Sequence, residues 1–365
     1  MSEFLTLHEI VKQAEINLTK NDWDYLIGGS ETETTLKRNR QALDALALRP
    51  KVLTDVSEVN VAGALLGHRM RIPVLLAPIG SVQVFEGGGG VSVANAAHEF
   101  GTMMMLSSAC APGFEEVASA TEGPKIYQLY VIGDDDWLFE QIEKSVAAGY
   151  VGFCLTVDTQ VYSRRERDIA KRYVPASGRL AQAAAQQIRP AVGFGQQAKL
   201  TWEKVARIKE SFDIPLILKG IASAEDAARA CELEVEVVYV SNHGGRQLDH
   251  GLGTMQILPE VVKAVDGRAE VVVDGGFLRG TDVVKGLAMG ANAVGIGRLE
   301  GFAMAAGGAP AVVNMLEILE HEIQIAMGLL GRASIDELSP EALTEAEPVG
   351  DSHVTSAFPL LEEGY

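Results

Sequence analysis

Eight short apolar runs recur along the chain, and segments with the periodicity of helices separate them. Most of these runs are apolar throughout instead of alternating, which is typical of parallel strands covered on both faces. Eight strand–helix units in series favour an α/β (β/α)8 (TIM) barrel over an open sheet. The predicted strands are 74–79, 102–107, 125–131, 152–158, 215–220, 235–241, 270–274 and 293–297.

The length of 365 residues leaves room for additions to a barrel, which needs roughly 250 residues. We therefore expect one domain, with a helical N-terminal extension and closing segment at 1–70, a barrel at 71–330 and a C-terminal tail at 331–365. Residues 169–200, rich in Ala, Gln and Gly, follow the fourth strand, and a mobile lid or a simple connecting insert fits them. Ser223 and Thr281 are predicted helix N-caps.

The formal net charge of −18 argues against nucleic acid or an anionic membrane as a partner. An anionic ligand would then need a local basic site. The three cysteines, at 110, 154 and 231, lack metal-ligand or CxxC spacing, so we expect free thiols, no metal and a reducing compartment. The N-terminus lacks a signal-peptide pattern, and no uninterrupted apolar run approaches the ~20 residues of a membrane span. A soluble cytoplasmic protein is expected.

The most informative motif is Ser-Asn-His-Gly-Gly-Arg-Gln-Leu-Asp at 241–249, directly after the sixth apolar run. A strand end holds side chains rigidly, and the glycines allow close approach of a ligand to the backbone. His243 and Arg246 in this place suit proton abstraction beside an anion-binding group. A buried structural histidine in a turn is the alternative.

A phosphate site is predicted after the last two strands, where barrels commonly bind phosphate. Asp274, Gly275 and Gly276 follow the seventh strand with Arg279 close behind, and Gly297 and Arg298 follow the eighth. Glycines expose backbone N–H groups and arginines supply positive charge.

Further polar side chains mark the ends of other strands, where burial would be costly without a ligand or partner. Lys219 is a cation predicted to point into the barrel mouth and stabilise negative charge on a bound ring. The other members of this set are Ser107, Gln128, Tyr130, Thr156, Asp158 and Arg165.

These motifs, in this order at strand ends, resemble the FMN-dependent 2-hydroxy acid oxidising enzymes, a family that includes glycolate oxidase, lactate oxidase, lactate monooxygenase and mandelate dehydrogenase. The resemblance runs from about Leu5 to Phe358. Besides 241–249, it rests on Leu155-Thr-Val-Asp-Thr159 with Arg164-Arg165-Glu166, and on Asp274-Gly-Gly276 with Arg279-Gly-Thr-Asp282.

The resemblance implies a role for each matching residue. His243 would be the catalytic base held by Asp158, Tyr130 would bind the substrate hydroxyl, and Lys219 would stabilise the reduced flavin. Arg165, Arg246 and Tyr25 would bind the substrate carboxylate. FMN would contact Pro78, Ile79, Gly80, Ser107, Gln128, Thr156, Ser241, Asp274, Gly275, Gly276, Arg279, Gly297 and Arg298.

Departures from the family pattern bear on substrate and electron acceptor. Ala109 stands where glycolate oxidase has tryptophan, which implies a wider pocket, and Tyr162 lies in a variable position near the substrate entrance. Pro78-Ile79-Gly80 replaces the commoner Pro-Thr-Ala and is similar to lactate monooxygenase.

The implied activity is oxidation of an (S)-2-hydroxy acid to the 2-keto acid, with O2 as acceptor and H2O2 as product. A monooxygenase that decarboxylates the keto acid, a dehydrogenase with another acceptor, another kind of FMN barrel, and a non-catalytic paralogue are the alternatives. Relatives also imply a homotetramer or octamer, with Met304-Ala-Ala306 as a candidate exposed face.

Overall fold

The computed structural model describes residues 4–174 and 195–364 and has a closed barrel of eight parallel strands at its centre. All eight predicted strands are confirmed, seven with shorter bounds than the apolar runs and one, predicted at 215–220, shifted by one residue. The barrel closes where the last strand pairs with the first, Val294 opposite Val74 and Ile296 opposite Leu76. Its strands are β4 (Val74–Leu76), β5 (Met103–Ser107), β6 (Lys125–Leu129), β7 (Gly152–Thr156), β8 (Leu216–Ile221), β9 (Val237–Val240), β10 (Glu270–Val273) and β11 (Ala293–Ile296).

Helices connect the strands and cover the barrel. Ser223 caps α9, since its hydroxyl accepts the N–H of Asp226 at 3.1 Å. Thr281 is not a cap: α11 already begins at Gly280, where Asp282 accepts the N–H of Arg279 at 3.1 Å. The described helices are α1 (Leu7–Asn17), α2 (Lys20–Ile27), α3 (Thr34–Asp44), α4 (Gly89–Phe100), α5 (Phe114–Ala120), α6 (Asp135–Ala147), α7 (Glu166–Ala170), α8 (Trp202–Ser211), α9 (Ala224–Glu232), α10 (Thr254–Val265), α11 (Gly280–Ala288) and α12 (Arg298–Leu329).

The last helix, α12, is apolar and long enough to cross a membrane by length and composition alone. It is nonetheless mostly buried, packs against α1 and α4, and is interrupted by non-helical backbone at Gly307 and Gly308. These are properties of a core helix. Met304, Ala305 and Ala306 are buried in it, which corrects their prediction as an exposed face: they pack inside the monomer.

The amino end of the barrel is closed by a hairpin of β2 (Gly63–Leu65) and β3 (His68–Met70). Leu65 and Met70 are fully buried against the inward side chains of the strands, among them Leu75 and Met103. The carboxylate of Glu270 accepts the N–H of Leu66 at 2.7 Å and ties the hairpin turn to β10. This end therefore belongs to the hydrophobic core.

The N-terminal extension crosses the other end of the barrel. Ser30 donates its N–H to the Gly245 carbonyl at 3.0 Å, and the carboxylate of Asp249 accepts the N–H of Thr35 at 2.9 Å. The N-terminal extension also pairs with the C-terminal tail, through β1 (Leu46–Leu48) and β12 (Leu343–Glu345). Of the predicted lid, 175–194 lie outside the described residues. The described parts are 169–174, which include the last two residues of α7, and 195–200.

Candidate active site

A cavity of about 1080 Å³ opens at the carbonyl ends of the strands, and every barrel strand or the loop after it contributes to its wall. Cavities of this size hold a cofactor-sized ligand. Within the described residues, no group of His, Cys, Asp and Glu is arranged to hold a metal ion.

The turn after β9 aims His243 at the cavity. His243, Gly244 and Gly245 have φ values of 58°, 64° and 76°, all in the left-handed region. A Cβ on Gly245 would lie 2.5 Å from the backbone of Leu36, so only glycine allows α3 to pack here. Unlike glycine, His243 has a Cβ that disfavours positive φ. Non-glycine residues with positive φ are uncommon and concentrate at functional sites.

His243 is held between two side chains. Its Nδ1 lies 3.2 Å from Oδ1 of Asp158, and its Nε2 lies 3.2 Å from the hydroxyl of Tyr130. Because the carboxylate of Asp158 only accepts hydrogen bonds, Nδ1 carries the proton and the lone pair on Nε2 faces Tyr130. The structure thus brings together the base, its orienting carboxylate and the tyrosine that the sequence predicted.

Burial lowers the pKa of His243 below its ordinary value, although the charge and hydrogen bond of Asp158 act in the opposite direction. Burial likewise opposes ionisation of Asp158. The interactions with His243 and Lys219 outweigh this effect of burial and lower the pKa of Asp158. The imidazole is therefore neutral near pH 7 and Asp158 is ionised, which are the states that a general base and its orienting partner require.

Two arginines form an anion site beside this base. Arg165 is buried, its Nε lacks a hydrogen-bond partner, and its guanidinium lies 4.5 Å from the ring of Tyr162. Arg246 donates to the carbonyls of Tyr25 at 2.7 Å and Gly28 at 2.8 Å, and its half-buried guanidinium lies 4.9 Å from the Tyr25 ring. Guanidinium groups largely shielded from water suit a carboxylate.

The N-terminal extension completes this side of the cavity. The hydroxyl of Tyr25, on α2, donates to the Gly80 carbonyl at 2.9 Å. Pro78, Ile79 and Gly80 line the cavity after β4, and Ala109 lines it after β5. The predicted contacts of Tyr25 and Ala109 with substrate stay predictions, but both residues lie in the cavity wall.

Lys219 is buried at the centre of the barrel mouth. Its Nζ donates to Ser241 Oγ at 2.9 Å and lies 3.3 Å from the carboxylate of Asp274. The next residue, Gly220, has φ of 112°, and a Cβ there would lie 2.6 Å from the side chain of Asp158. Burial disfavours the charged amine, but Asp274 and Asp158 outweigh it and raise the pKa of Lys219. The cavity therefore has a fixed positive charge at its floor.

Glycines line the end of the cavity formed by the turns after β10 and β11. Gly275 and Gly276 have positive φ, and the space where Gly297 would carry a Cβ is open. Arg298 donates to the carbonyls of Gly244 and Gly28, both at 2.8 Å, while its Nε has no partner. Burial, and next the charge of Arg246, lower its pKa to about 9. Exposed backbone and a buried cation suit an anionic group here.

Arg279 is the one predicted phosphate ligand that the structure places elsewhere. Its Nη2 lies 2.5 Å from Glu322 Oε1 on α12, and it is not part of the cavity wall. The turn after Gly276 directs Leu278 to the cavity and Arg279 to α12, and the contact of Arg279 with FMN stays a prediction. Arg40, which sequence reasoning missed, lies in the wall instead, but its guanidinium is paired with Asp282 at 2.7 Å.

Four predicted polar residues lie buried at strand ends, outside the residues that form the cavity wall. Gln128 donates to Thr156 Oγ at 2.9 Å, and its Oε1 has no partner. Ser107 accepts the N–H of Ala109 at 3.2 Å, and Ser241 accepts the N–H of His243 at 3.1 Å. These side chains hold the turns that carry the cavity residues.

Sequence reasoning also missed Gln197. Its amide oxygen accepts the N–H of Val131 at 2.6 Å, and its amide nitrogen donates to the Thr156 carbonyl at 2.6 Å. It therefore joins the turns that carry Tyr130 and Asp158. The sequence offered no signal for this, since a glutamine among other glutamines in a long connection has no distinctive spacing.

Comparison with known proteins identifies the group to which this fold and site belong. Residues 14–345 match the family model for FMN-dependent dehydrogenases. The L-lactate oxidase of a Nostoc species is 37% identical over 360 residues, covering 94% of this chain and 99% of the relative. A peroxisomal (S)-2-hydroxy-acid oxidase from Oryza sativa subsp. japonica is 38% identical, covering 93% of this chain and 95% of that protein.

Solved structures agree with the sequence matches. A crystal structure of mandelate oxidase superposes with a TM-score of 0.87 at 33% identity, covering 95% of this chain and all of the other. The chain belongs to the FMN-dependent dehydrogenase family. It is an FMN-dependent oxidoreductase.

The cavity fits this cofactor. Its glycine-lined end with Arg298 suits the phosphate, and Lys219 suits the electron-rich edge of the ring. Three buried polar atoms at the carbonyl end of the barrel, Gln128 Oε1, Asp274 Oδ1 and Arg298 Nε, lack partners among the described residues. Buried polar groups are normally hydrogen-bonded, so these orphaned atoms indicate that a polar ligand completes the site.

Proposed function

We propose that this enzyme oxidises an (S)-2-hydroxy acid to the 2-keto acid. The observation that carries the proposal is the position of His243, oriented by Asp158, and of Tyr130 in the same cavity as Arg165 and Arg246. A base next to paired arginines is suited to a substrate with a carboxylate adjacent to the carbon that is oxidised. The relatives named lactate oxidase, (S)-2-hydroxy-acid oxidase and mandelate oxidase support the same reaction.

The protein side of the reaction follows from the contacts. Arg165 and Arg246 bind the substrate carboxylate and fix its orientation. His243 Nε2 accepts a proton from the substrate, while Asp158 keeps the proton on Nδ1 and stabilises the imidazolium that forms. The hydroxyl of Tyr130, 3.2 Å from Nε2, is placed to bind the substrate oxygen. Bound FMN supplies the acceptor for the two electrons.

Anaerobic addition of 2-hydroxy acids to the purified yellow protein tests this proposal. Bleaching of the flavin absorbance by (S)-acids, with formation of the 2-keto acid, is the expected result. A flavin that no 2-hydroxy acid bleaches would refute the activity, and extraction of FAD in place of FMN would contradict the cofactor assignment.

The preferred side chain of the substrate is larger than that of glycolate. Ala109 leaves room in the wall, and the apolar side chains of Ile132 and Val161 also line the cavity. We therefore expect aryl or longer side chains to exceed glycolate in kcat/KM by more than about tenfold. Ala109→Trp should reverse that order, and a preference of the unmodified enzyme for glycolate would remove this part of the proposal.

Oxygen is the proposed electron acceptor, with free hydrogen peroxide as product. Gly80 lacks a side chain beside the region where Pro78 and Ile79 would meet the flavin, which supports access of O2. Peroxide and keto acid in equal amounts would support the oxidase. An acid one carbon shorter, formed in the presence of catalase, would indicate the monooxygenase, and turnover with a dye alone would indicate a dehydrogenase.

A homo-oligomer in the cytoplasm, as a tetramer or octamer, is the proposed working form. The acidic composition, with its net charge of −18, supports a soluble protein without nucleic-acid or membrane partners. Light scattering tests the oligomer, and a mass near 39 kDa, that of one chain, would contradict it.

A further inference from the structure

The wall of the cavity is strongly positive in a chain whose net charge is −18. Among the described residues, seven arginine and lysine side chains line it, against one carboxylate, that of Asp274. A wall of this sign concentrates anions and excludes cations. The partners of these seven side chains determine how many positive charges remain after the cofactor and one substrate carboxylate are bound.

Five of the seven cations are already engaged. Arg40 is paired with Asp282, and Lys219 with Asp274. Arg298 lies at the phosphate end, bound to two backbone carbonyls. Arg165 and Arg246 form the site for the 2-carboxylate. A cofactor phosphate and a single substrate carboxylate therefore account for all of the inner positive charge.

Arg164 and Arg172 remain, on the outer part of the wall. Both are exposed and both line the cavity. The nearest carboxylate to Arg164 is that of Glu166, at 4.0 Å, and Arg172 has no ion pair with any residue in 4–174 or 195–364. The sequence of 175–194 contains two arginines and no Asp or Glu, so it offers no carboxylate that could neutralise them.

The N-terminal extension contacts the segments that carry these arginines. The Arg164 carbonyl accepts the N–H of Glu31 at 2.9 Å. Next to Arg172, the carboxylate of Asp24 binds Lys171 and the hydroxyl of Tyr173 donates to Asp22. The N-terminal extension thus anchors both residues at the cavity while their guanidinium groups remain without strong partners.

We propose that Arg164 and Arg172 bind a second carboxylate at the far end of the substrate side chain, so that the preferred substrates are 2-hydroxy dicarboxylic acids. This inference rests on the proposed function and specifies its substrate class. Arg165 and Arg246 hold the carboxylate next to the reacting carbon, and the small side chain of Ala109 leaves room for the intervening methylene groups. The outer pair is a specificity determinant and takes no part in the chemical step.

The decisive experiment compares 2-hydroxyglutarate with its neutral isostere, in which the distal carboxylate is an amide. We expect kcat/KM for the dicarboxylate to be higher by about tenfold, the effect of two partly exposed ion pairs. The preference should shrink as the salt concentration rises, because exposed charges are screened. The maximal rate of flavin reduction should be similar for both acids.

Arg164→Gln/Arg172→Gln should abolish the preference without lowering the rate at saturating substrate. Its matched control is Arg207→Gln/Arg229→Gln, which removes two exposed arginines outside the cavity and should retain the preference. Calorimetric binding of 2-oxoglutarate should weaken only in the first variant.

The outcomes separate this inference from the function on which it rests. If dicarboxylate and amide react equally well, or if the first variant slows both equally, the second carboxylate site is refuted while 2-hydroxy acid oxidation stands. If neither these acids nor simple 2-hydroxy acids reduce the flavin, the proposed function itself fails.

Discussion

The two ends of the barrel are made from the same eight strands, yet they differ in almost every physical respect. At the amino end, Leu65 and Met70 of the hairpin fill the interior, and the hairpin turn is hydrogen-bonded to Glu270. At the carbonyl end, a cavity of about 1080 Å³ lies over buried charges and orphaned polar atoms. The amino end stabilises the fold, and the carbonyl end retains unsatisfied groups for ligands.

The carbonyl end is where this molecule tolerates energetically unfavourable structure. Buried charges, positive φ at a histidine and unpartnered polar atoms each cost free energy. Here all three occur together at one end, and the packed barrel beneath them compensates. Substitutions at the two ends should therefore affect different measurements.

The largest expected effect is at the carbonyl end. His243→Asn keeps a residue that tolerates positive φ but removes the base. We expect flavin reduction to slow by at least about 100-fold, the usual contribution of a positioned general base, with FMN still bound. Anaerobic rapid-mixing kinetics measure this, and near-normal reduction would show that His243 is not the base.

The opposite result is expected at the amino end. Met70→Ala leaves a cavity beneath the strands and should lower the free energy of unfolding by about 2–5 kcal/mol. Flavin reduction at saturating substrate should change less than about twofold. Leu329→Ala, at an exposed position, is the matched control and should change stability by less than about 0.5 kcal/mol. A large loss of rate in Met70→Ala would mean that the two ends are not independent.

Arg279 and Arg298, which follow β10 and β11, should show the same contrast between stability and ligand binding at one end of the barrel. Arg298→Leu should weaken FMN binding by at least about tenfold, since hydrogen bonds to a charged group are lost. Arg279→Leu should leave FMN affinity nearly unchanged and lower stability instead, because Glu322 loses its partner. Fluorescence titration of the apoprotein with FMN decides between them. Equal weakening in both variants would place Arg279 in the phosphate site after all.

The smallest expected effect is a shift in pH dependence. Burial lowers the pKa of His243 from 6.5, and the base acts in its neutral form. The midpoint of the acid limb of the kcat/KM profile against pH should therefore lie below 6.5. Asp158 raises that pKa, so Asp158→Asn should move the limb to still lower pH while reducing the rate. A shift to higher pH would contradict the assigned electrostatics.

Much of this molecule follows from the sequence because local chemistry decides it. Apolar runs such as 152–158 form buried parallel strands wherever helices cover them, and Gly244 and Gly245 allow a turn that few other residues permit. The reaction chemistry of His243 and Arg246 follows from residue type at a strand end. The eight strands were accordingly predictable, whereas the pairing of His243 with Asp158 was implied by the family resemblance.

Other features depend on how distant segments meet, which a linear sequence does not contain. From the sequence Arg279 is predicted to be a phosphate ligand, but the packing of α11 against α12 directs it to Glu322. Met304 is buried because α1 and α4 pack against α12, the helix that carries it. Gln197 joins two turns from far along the chain. Arg164 and Arg172 lack close ion pairs among the described residues because of where the folded chain places its carboxylates. Sequence determined the strands and the chemical groups, and tertiary packing decided which of those groups remain free to bind a ligand.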